Sequence, residues 1–385
     1  MSAVYIHLPF CIKRCYYCDF ITYAGQGDLI GKYVETLLDE IEAYRGGITD
    51  PIDTVYFGGG TPSVLPAKTI GLIITALKEQ FPLNENAEIT LEANPGTLSL
   101  SYLQALRQAG VNRLSLGIQS FDNEDLKVLG RIHNAEQAGE AIRFSRYAGF
   151  ENLSLDLIFG LPGQSLERWQ ENLKRACDLG VEHLSLYSLI LEENTEFARM
   201  LASGELVLPD DDLVADMFEW AIDHLPARGY QHYEISNWAR NVDLESRHNK
   251  VYWHNLDYLG LGAGAHGRLG ERRYHNYDNL QDYIGCVDRE DQTGSPYVME
   301  QIPISRRDAM QEQMMLGLRL TREGVSDIVF KNRFGLAIQE AFPTEIKKLL
   351  GAQFVEWAPF EDGPHLRLTR QGIMLGNQVF QEFVD

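Results

Sequence analysis

The chain has no run of about 18 apolar residues, so nothing in it reads as a membrane-spanning helix. It has no cationic excess either. Its 34 basic side chains stand against 55 acidic ones, a formal net charge of −21 over 385 residues. That excludes a general affinity for nucleic acid, which needs clustered lysine and arginine, and no nucleic-acid partner is expected. Cysteine is scarce at five residues, and in a reducing compartment these read as thiols or metal ligands rather than disulfides. A secretion signal is missing from the opening segment MSAVYIHLPF. Its apolar stretch is short, and the positive charges Lys13 and Arg14 follow it instead of preceding it. A cytoplasmic protein is therefore expected. Low-complexity tracts are limited to Asp210-Asp211-Asp212, which reads as a solvated helix start. With 44% hydrophobic residues, the chain is long enough for one large domain and a smaller one.

Three of the five cysteines sit together. Cys11, Cys15 and Cys18 lie in PFCIKRCYYCDF, whereas Cys177 and Cys286 stand alone and read as buried small hydrophobes. Zinc is one reading of the triplet. Structural zinc wants four ligands, usually as two pairs, and no second pair follows. His7, a strand residue ahead of the loop, is poorly placed as a fourth ligand. An iron–sulfur cluster suits the triplet better, because thiolates on one short loop can hold adjacent irons. Three thiolates would leave one iron of a four-iron cluster open, which is where a substrate could bind.

Short β-like runs alternate with amphipathic segments over roughly the first 230 residues. Strands are expected at 4–8, 54–57, 88–92, 113–117, 153–157 and 183–187, and helices at 33–44, 67–80, 101–109, 135–147, 166–179 and 211–228. Six βα units in series imply a parallel sheet. Eight would close a TIM barrel and six leave it open, although periodicity alone does not separate an open barrel from a doubly wound sheet. Residues 240–297 are rich in Asn, Tyr, Gly and His with weak periodicity. Helices are expected again at 307–319, 325–332 and 338–351, then a hairpin of 354–357 with 365–369 across Glu361-Asp362-Gly363. The resulting division is a barrel domain over 1–235, a connecting segment over 236–300 and a smaller α+β, winged-helix-like domain over 301–385. That last part carries 10 basic and 11 acidic side chains, which favours a structural or partner-docking role over DNA binding.

In βα barrels, chemistry collects at the C-terminal ends of the strands. Tyr5 precedes the cysteine loop. The second strand runs into Gly58-Gly59-Gly60-Thr61-Pro62, where glycines let a backbone approach a ligand. The third ends at Glu92 and the fourth near Gln119, with Arg131 beyond it offering a fork suited to a carboxylate. The fifth carries Asp156 among apolar neighbours. Each of these has an ordinary reading as a cap or a surface charge when taken singly; their order along the chain is the informative part.

The spacing Cys-x3-Cys-x2-Cys after an apolar strand, with Tyr17 before the last cysteine, resembles the radical S-adenosylmethionine (SAM) enzymes. In that superfamily the open iron of a [4Fe-4S] cluster chelates SAM and an electron from the cluster cleaves its sulfonium. The resemblance also implies an α/β fold, an open partial (β/α)6 TIM-like barrel. Together with Gly-Gly-Gly-Thr-Pro, Glu-x-x-Pro, Gln-Ser-Phe, Gly-Arg and Asp-Leu-Ile-x-Gly-x-Pro-Gly-Gln, the chain is similar over nearly its whole length to the oxygen-independent coproporphyrinogen III oxidase family. By that resemblance Cys11, Cys15 and Cys18 hold the cluster. Tyr5, Gly59, Gly60, Thr61, Glu92, Gln119, Arg131 and Asp156 contact SAM, and Tyr17 lies near its adenine.

Two departures place the chain within that family. The oxidases carry a further cysteine where this chain has Phe20, and they have an N-terminal extension before the tyrosine of the first strand, where Tyr5 here is almost the first residue. Both marks look like the HemW branch of heme chaperones. His248-Asn249-Lys250-Val251-Tyr252-Trp253 fits that branch's HNxxYW motif and is followed by Gly260-Leu261-Gly262-Ala263-Gly264-Ala265-His266-Gly267. Heme needs an aromatic slot and an axial ligand. His248 and His266 are the candidates, with Tyr252 and Trp253 as stacking surface and Cys286 as a weaker ligand. The same cluster could equally brace the C-terminal segment against the barrel mouth. Two functions stay open. One is a heme chaperone with cluster, SAM and heme, serving a hemoprotein acceptor such as a membrane-associated respiratory protein. The other is a coproporphyrinogen III dehydrogenase. An open cluster-bearing face is also compatible with a homodimer.

Overall fold

Apolar and polar side chains alternate along six strands in the first half of the chain, and the fold uses both faces. The computed structural model describes residues 2–46, 48, 50–286 and 295–384. The six strands are β1 (Ser2–Leu8), β2 (Ile52–Gly59), β3 (Leu83–Ala93), β4 (Arg113–Gln119), β5 (Asn152–Phe159) and β6 (His183–Ser188). One face puts Val4, Ile6, Val55, Phe57, Leu114, Leu116, Leu153 and Leu155 into a single core with Leu37, Ile70, Leu103, Ile142 and Trp169 of the intervening helices. The other face lines the barrel with Tyr56, Glu92, Ser115, Asp156 and Ser185. Register keeps these in phase: Glu92 pairs with Ser115, Ser115 with Ser154, and Asp156 with Ser185.

All five pairings from β1 to β6 are parallel. The helices Ile30–Ala43, Ala67–Gln80, Leu100–Ala109, Ala135–Tyr147, Leu166–Asp178 and Asp211–His224 follow the six strands in turn. The sheet does not stop there. It continues with β7 (Gln231–Glu234), β8 (Asn237–Ala239), β9 (Tyr258–Leu261), β10 (His266–Leu269), β11 (Arg272–Asn276) and β12 (Val298–Pro303). The strand order is β12-β11-β10-β9-β1-β2-β3-β4-β5-β6-β8-β7, and among the described residues its two end strands, β12 and β7, do not pair with each other. The barrel is therefore open, and β9 adds a seventh parallel strand beside β1. Sequence periodicity gives no sign of these six later strands, the first five of which are short and rich in Asn, His, Tyr and Gly. Residues 287–294 of the expected connecting segment lie outside the described residues.

The helix expected over 211–228 ends at His224, because Pro226 cannot continue it and opens a separate turn, Pro226–Arg228. Asp210 caps that helix by accepting from the Leu213 N–H at 2.7 Å, as the triple aspartate suggests. In the C-terminal part, the helix expected over 338–351 is two, Ile338–Ala341 and Pro343–Gly351, divided at Pro343. The one expected over 325–332 starts later, at Asp327, after a two-residue strand, Val325–Ser326. The hairpin is longer than expected, pairing Val355–Phe360 with Gly363–Leu368. These elements enclose their own core, with Met314, Phe330, Phe342, Ile346 and Leu366 at its centre. No helix among the described residues is long and apolar enough to cross a membrane.

One buried carboxylate ties the first helix to the later strands. Glu40 is fully buried. It accepts hydrogen bonds from Tyr283 Oη at 2.6 Å, Asn276 Nδ2 at 2.6 Å and the Gly262 N–H at 2.8 Å. Beside it, Tyr33 Oη donates to the His7 carbonyl at 2.6 Å and accepts from the Ala263 N–H at 3.1 Å. The end of β1, where the cysteine loop begins, is thereby anchored to the loop after β9.

Candidate functional site

The parallel strands open onto a cavity of about 470 Å³ at their C-terminal ends. The cysteine loop crosses its mouth. Cys11, Cys15 and Cys18 all border the cavity and are half-buried. Burial pushes the Cys11 and Cys18 thiols up from their ordinary range. Thr61 Oγ1 lies 3.5 Å from Cys11 Sγ, and Arg131 Nη1 lies 3.3 Å from Cys15 Sγ. Both are positioned to stabilise thiolates, the form that ligates metal. Among the described residues, no three His, Cys, Asp or Glu side chains converge on a point that one metal ion could occupy. Phe20, at the position of the further cysteine, is 67% exposed and borders the same mouth.

Most of the expected SAM residues come together here. Tyr17, Gly59, Gly60, Thr61, Glu92, Gln119, Arg131 and Asp156 all line the cavity. Glu92 is pushed up to about 7, chiefly by burial and further by nearby Asp156, against the hydrogen bond it accepts from Tyr56 Oη at 2.7 Å. Asp156 is likewise raised by burial and is held by Ser115 Oγ at 3.0 Å. Arg131 also donates to the Gly117 carbonyl at 2.6 Å, and its Nε is buried without a partner. Gly117 leaves room for this arrangement: a Cβ there would meet Gln119 Nε2 at 3.0 Å and Arg131 Nη2 at 3.3 Å. Tyr5 is the exception. It does not border the cavity, and its hydroxyl is engaged with His7 Nδ1 at 3.0 Å.

Gln119 has φ +67°, the left-handed region, at an irregularity between β4 and β5. A non-glycine residue held there is a mark of function over local preference. Gln119→Gly is expected to stay within about 1 kcal/mol of wild-type stability, since relief of that conformation offsets the added chain entropy. SAM binding should weaken in the same variant. Urea unfolding and equilibrium dialysis with SAM read the two effects separately.

The heme candidates do not gather around one open slot. His248 lies at the closed end of the barrel, not at its mouth. Its Nδ1 is 2.8 Å from Thr54 Oγ1 and its Nε2 is 2.8 Å from Tyr252 Oη, so both ring nitrogens are engaged. The ring stacks on Tyr56 with centroids 5.0 Å apart, and burial pushes its pKa down to about 3. Its helix, Arg247–Trp253, is seated by Glu88, whose carboxylate accepts the Arg247 and His248 N–H groups at 3.2 and 3.1 Å. Trp253 faces the C-terminal part, with the Arg319 guanidinium 4.5 Å from its ring centroid. His248, Tyr252 and Trp253 thus lie between the lower part of the barrel and the C-terminal part, not at the mouth where the bracing alternative puts them. Asn249 of the same motif does border the cavity. His266 is exposed and stacks on His275 at 5.0 Å, apart from the cavity lining. Cys286 and Cys177 are buried.

Sequence reasoning missed Tyr56, Arg113, Ser115, Ser185 and Tyr187, which also line the cavity. Register could have found two of them, since Ser115 pairs with Glu92 and Ser185 with Asp156.

Comparison with known proteins agrees with this geometry. The family model described as the radical SAM superfamily matches residues 5–176, and that of the HemN C-terminal domain matches 304–375. The heme chaperone HemW of Lactococcus lactis subsp. lactis is 38% identical over 383 residues, covering 100% of this chain and 97% of that protein. The heme chaperone HemW of Bacillus subtilis is 36% identical over 386 residues, covering 100% and 99%. Among solved structures, the coproporphyrinogen III oxidase HemN of Escherichia coli, described as a radical SAM enzyme, superposes with a TM-score of 0.83. The match covers 99% of this chain and 89% of that one at 24% identity, a likeness of fold.

Proposed function

The chain belongs to the HemW family within the radical SAM superfamily, and from that membership we propose that it is a heme chaperone. In this reading it carries a [4Fe-4S] cluster on Cys11, Cys15 and Cys18, binds SAM in the cavity, and passes heme to a hemoprotein acceptor. The observation that carries the cofactor part is the convergence of the cysteine loop, Gly59-Gly60-Thr61, Glu92, Gln119, Arg131 and Asp156 on one cavity.

The cluster would supply an open iron and an electron to SAM. The chain's own residues do the rest. Arg131 and Thr61 stabilise the thiolates of Cys15 and Cys11. Glu92, near 7 and bonded to Tyr56, can accept from an ammonium group at neutral pH. Gln119, held in its left-handed conformation, presents its amide to the same space. Gly59 and Gly60 border the cavity while letting the end of β2 lie against the chain itself, since a Cβ at Gly59 would meet the His7 ring at 2.7 Å and one at Gly60 the Phe10 carbonyl oxygen at 2.7 Å.

The second reading, a coproporphyrinogen III dehydrogenase, is favoured by the intact SAM-facing residues and opposed by Phe20. One anaerobic assay separates them. Reconstituted protein is given SAM, a reductant and coproporphyrinogen III, and 5′-deoxyadenosine and protoporphyrinogen are measured together. The chaperone reading expects no porphyrin product, with heme uptake seen by absorbance in a parallel titration. Protoporphyrinogen formed in proportion over many turnovers would establish the dehydrogenase. Stoichiometric zinc without iron or sulfide would remove both.

A further inference from the structure

The cavity floor holds a guanidinium that no described residue meets with a hydrogen bond or an ion pair. Arg113, the first residue of β4, is 2% exposed and borders the cavity. Its Nε is buried without a hydrogen-bond partner, and among the described residues its guanidinium makes no ion pair. Other buried arginines are answered: Arg131 donates to the Gly117 carbonyl, and Arg268 donates to the Asn255 carbonyl at 2.7 Å. The Arg113 charge favours the ionised form of Asp156 through space, with no hydrogen bond or ion pair between them, and its register partners Thr90 and Asn152 keep side-chain oxygens that are themselves buried without a partner. Asp156 accepts from Ser115 at 3.0 and 3.2 Å. His183 is bonded through both nitrogens, to Ser154 Oγ and Tyr233 Oη at 2.8 Å each, and His248 is bonded through both of its own. A desolvated, unpaired guanidinium destabilises a fold, and such groups are kept where a ligand completes them.

We propose that Arg113 is the receptor for a carboxylate on the cavity's ligand, separate from the anion-binding role of Arg131 at the rim. The planar fork of arginine matches a carboxylate with two parallel hydrogen bonds. Two ligands of the proposed function bring a carboxylate on a flexible arm: SAM through its amino-acid end, and heme through its propionates. The assignment rests on that function only for the names of these ligands.

The test uses the full chain as wild type, Arg113→Met and Arg113→Lys. Affinities are measured for SAM, for heme and for heme dimethyl ester, which has no free carboxylate. The ligand-free unfolding midpoint is recorded alongside. Arg113→Met should lose about tenfold or more in affinity for one of the two carboxylate ligands, the worth of a charge-assisted hydrogen bond. Arg113→Lys should recover part of that loss. The ligand-free midpoint of Arg113→Met should equal or exceed that of wild type, because an unanswered charge is removed. A loss confined to SAM names its amino-acid end as the partner. A loss on heme, with wild-type preference for heme over the ester abolished, names the propionate. Unchanged affinities, or a lowered ligand-free midpoint, would overturn the assignment, the second by showing that the fold itself answers Arg113. Wild-type protein that binds SAM but no heme removes the chaperone reading and leaves the SAM and unfolding measurements to decide on Arg113. Wild-type protein that binds neither overturns both.

Discussion

Gly60→Ala is expected to leave a folded protein that holds no iron or sulfide. Gly60 lies where β2 passes the entry to the cysteine loop. A Cβ there would stand 2.7 Å from the Phe10 carbonyl oxygen and 2.8 Å from the Pro9 carbonyl carbon. Both are backbone, so no side chain can swing aside. The same crossing is stitched by two hydrogen bonds, Gly60 N–H to the Leu8 carbonyl at 2.9 Å and Thr61 N–H to the Phe10 carbonyl at 2.8 Å. One methyl group must part these strands and displace Cys11, which follows Phe10. The cost to global stability should be about 1–3 kcal/mol, as for other overpacked sites, which a barrel of this size survives. The effect on the site should be far larger, because thiolates on a displaced loop no longer present a common wall. Gly31→Ala is the control. A Cβ there meets nothing within 4 Å, so iron and sulfide content should match wild type. Full metal content in Gly60→Ala after anaerobic reconstitution would argue that the cluster is not held by this loop.

That prediction was within reach of the sequence only in part. Gly-Gly-Gly-Thr-Pro after a strand marks a close approach to something, and the structure adds that the thing approached includes the chain's own cysteine loop. The six barrel strands were legible because each is a short run rich in β-branched or aliphatic residues, as in Leu114-Ser115-Leu116 or Leu153-Ser154-Leu155-Asp156-Leu157, and because helices with clean periodicity divide them. The helices Ala67–Gln80 and Ala135–Tyr147 begin and end where their apolar spacing does. The strands from Gln231 to Asn276 were not legible. They run three to five residues, and distant partners rather than their own pattern define them, as when β9 pairs with β1.

The site shows the same division. Glu92, Gln119, Arg131 and Asp156 sit where strand ends or the turns after them meet, and parallel topology brings them together. Arg113 and Tyr56 sit lower on the strands and look like ordinary polar residues. Only their phase, the same as that of Ser115 and Glu92, marks them as facing the interior. His248 and Tyr252 show the opposite limit. The motif was legible, but an i, i+4 pair on a short helix says nothing about which end of a barrel the helix closes. The Glu88 carboxylate, seating that helix by its N-terminus, settles the matter through a contact that no local pattern encodes.

Glu40→Ala should destabilise the protein by about 3–5 kcal/mol, the range for breaking a buried charged interaction by removing one side. Tyr283 Oη and the Gly262 N–H would lose their acceptor with no water to replace it, and each orphan carries its own penalty. The anchor of β1 to the loop after β9 would loosen with them, because Tyr33 shares that cluster. Glu40→Gln isolates the charge from the shape. Burial lifts the Glu40 carboxyl from 4.5 to about 7, against the hydrogen bonds that favour its ionised form. The folded chain therefore holds this proton more tightly than the unfolded chain does. Its contribution to stability is fully present below pH 4.5 and is lost as pH rises to about 7 and beyond. Glu92 and Glu234, also lifted to about 7 by burial, act in the same direction. Urea midpoints should therefore fall between pH 5 and pH 8 in wild type, and fall less steeply in Glu40→Gln, whose amide does not titrate. The Gln variant should also be less stable than wild type at pH 8, since all three partners of Glu40 are donors and an amide offers them one acceptor instead of two. A wild-type slope carried over unchanged into Glu40→Gln would mean that Glu40 stays ionised across this range, its three donors outweighing the burial.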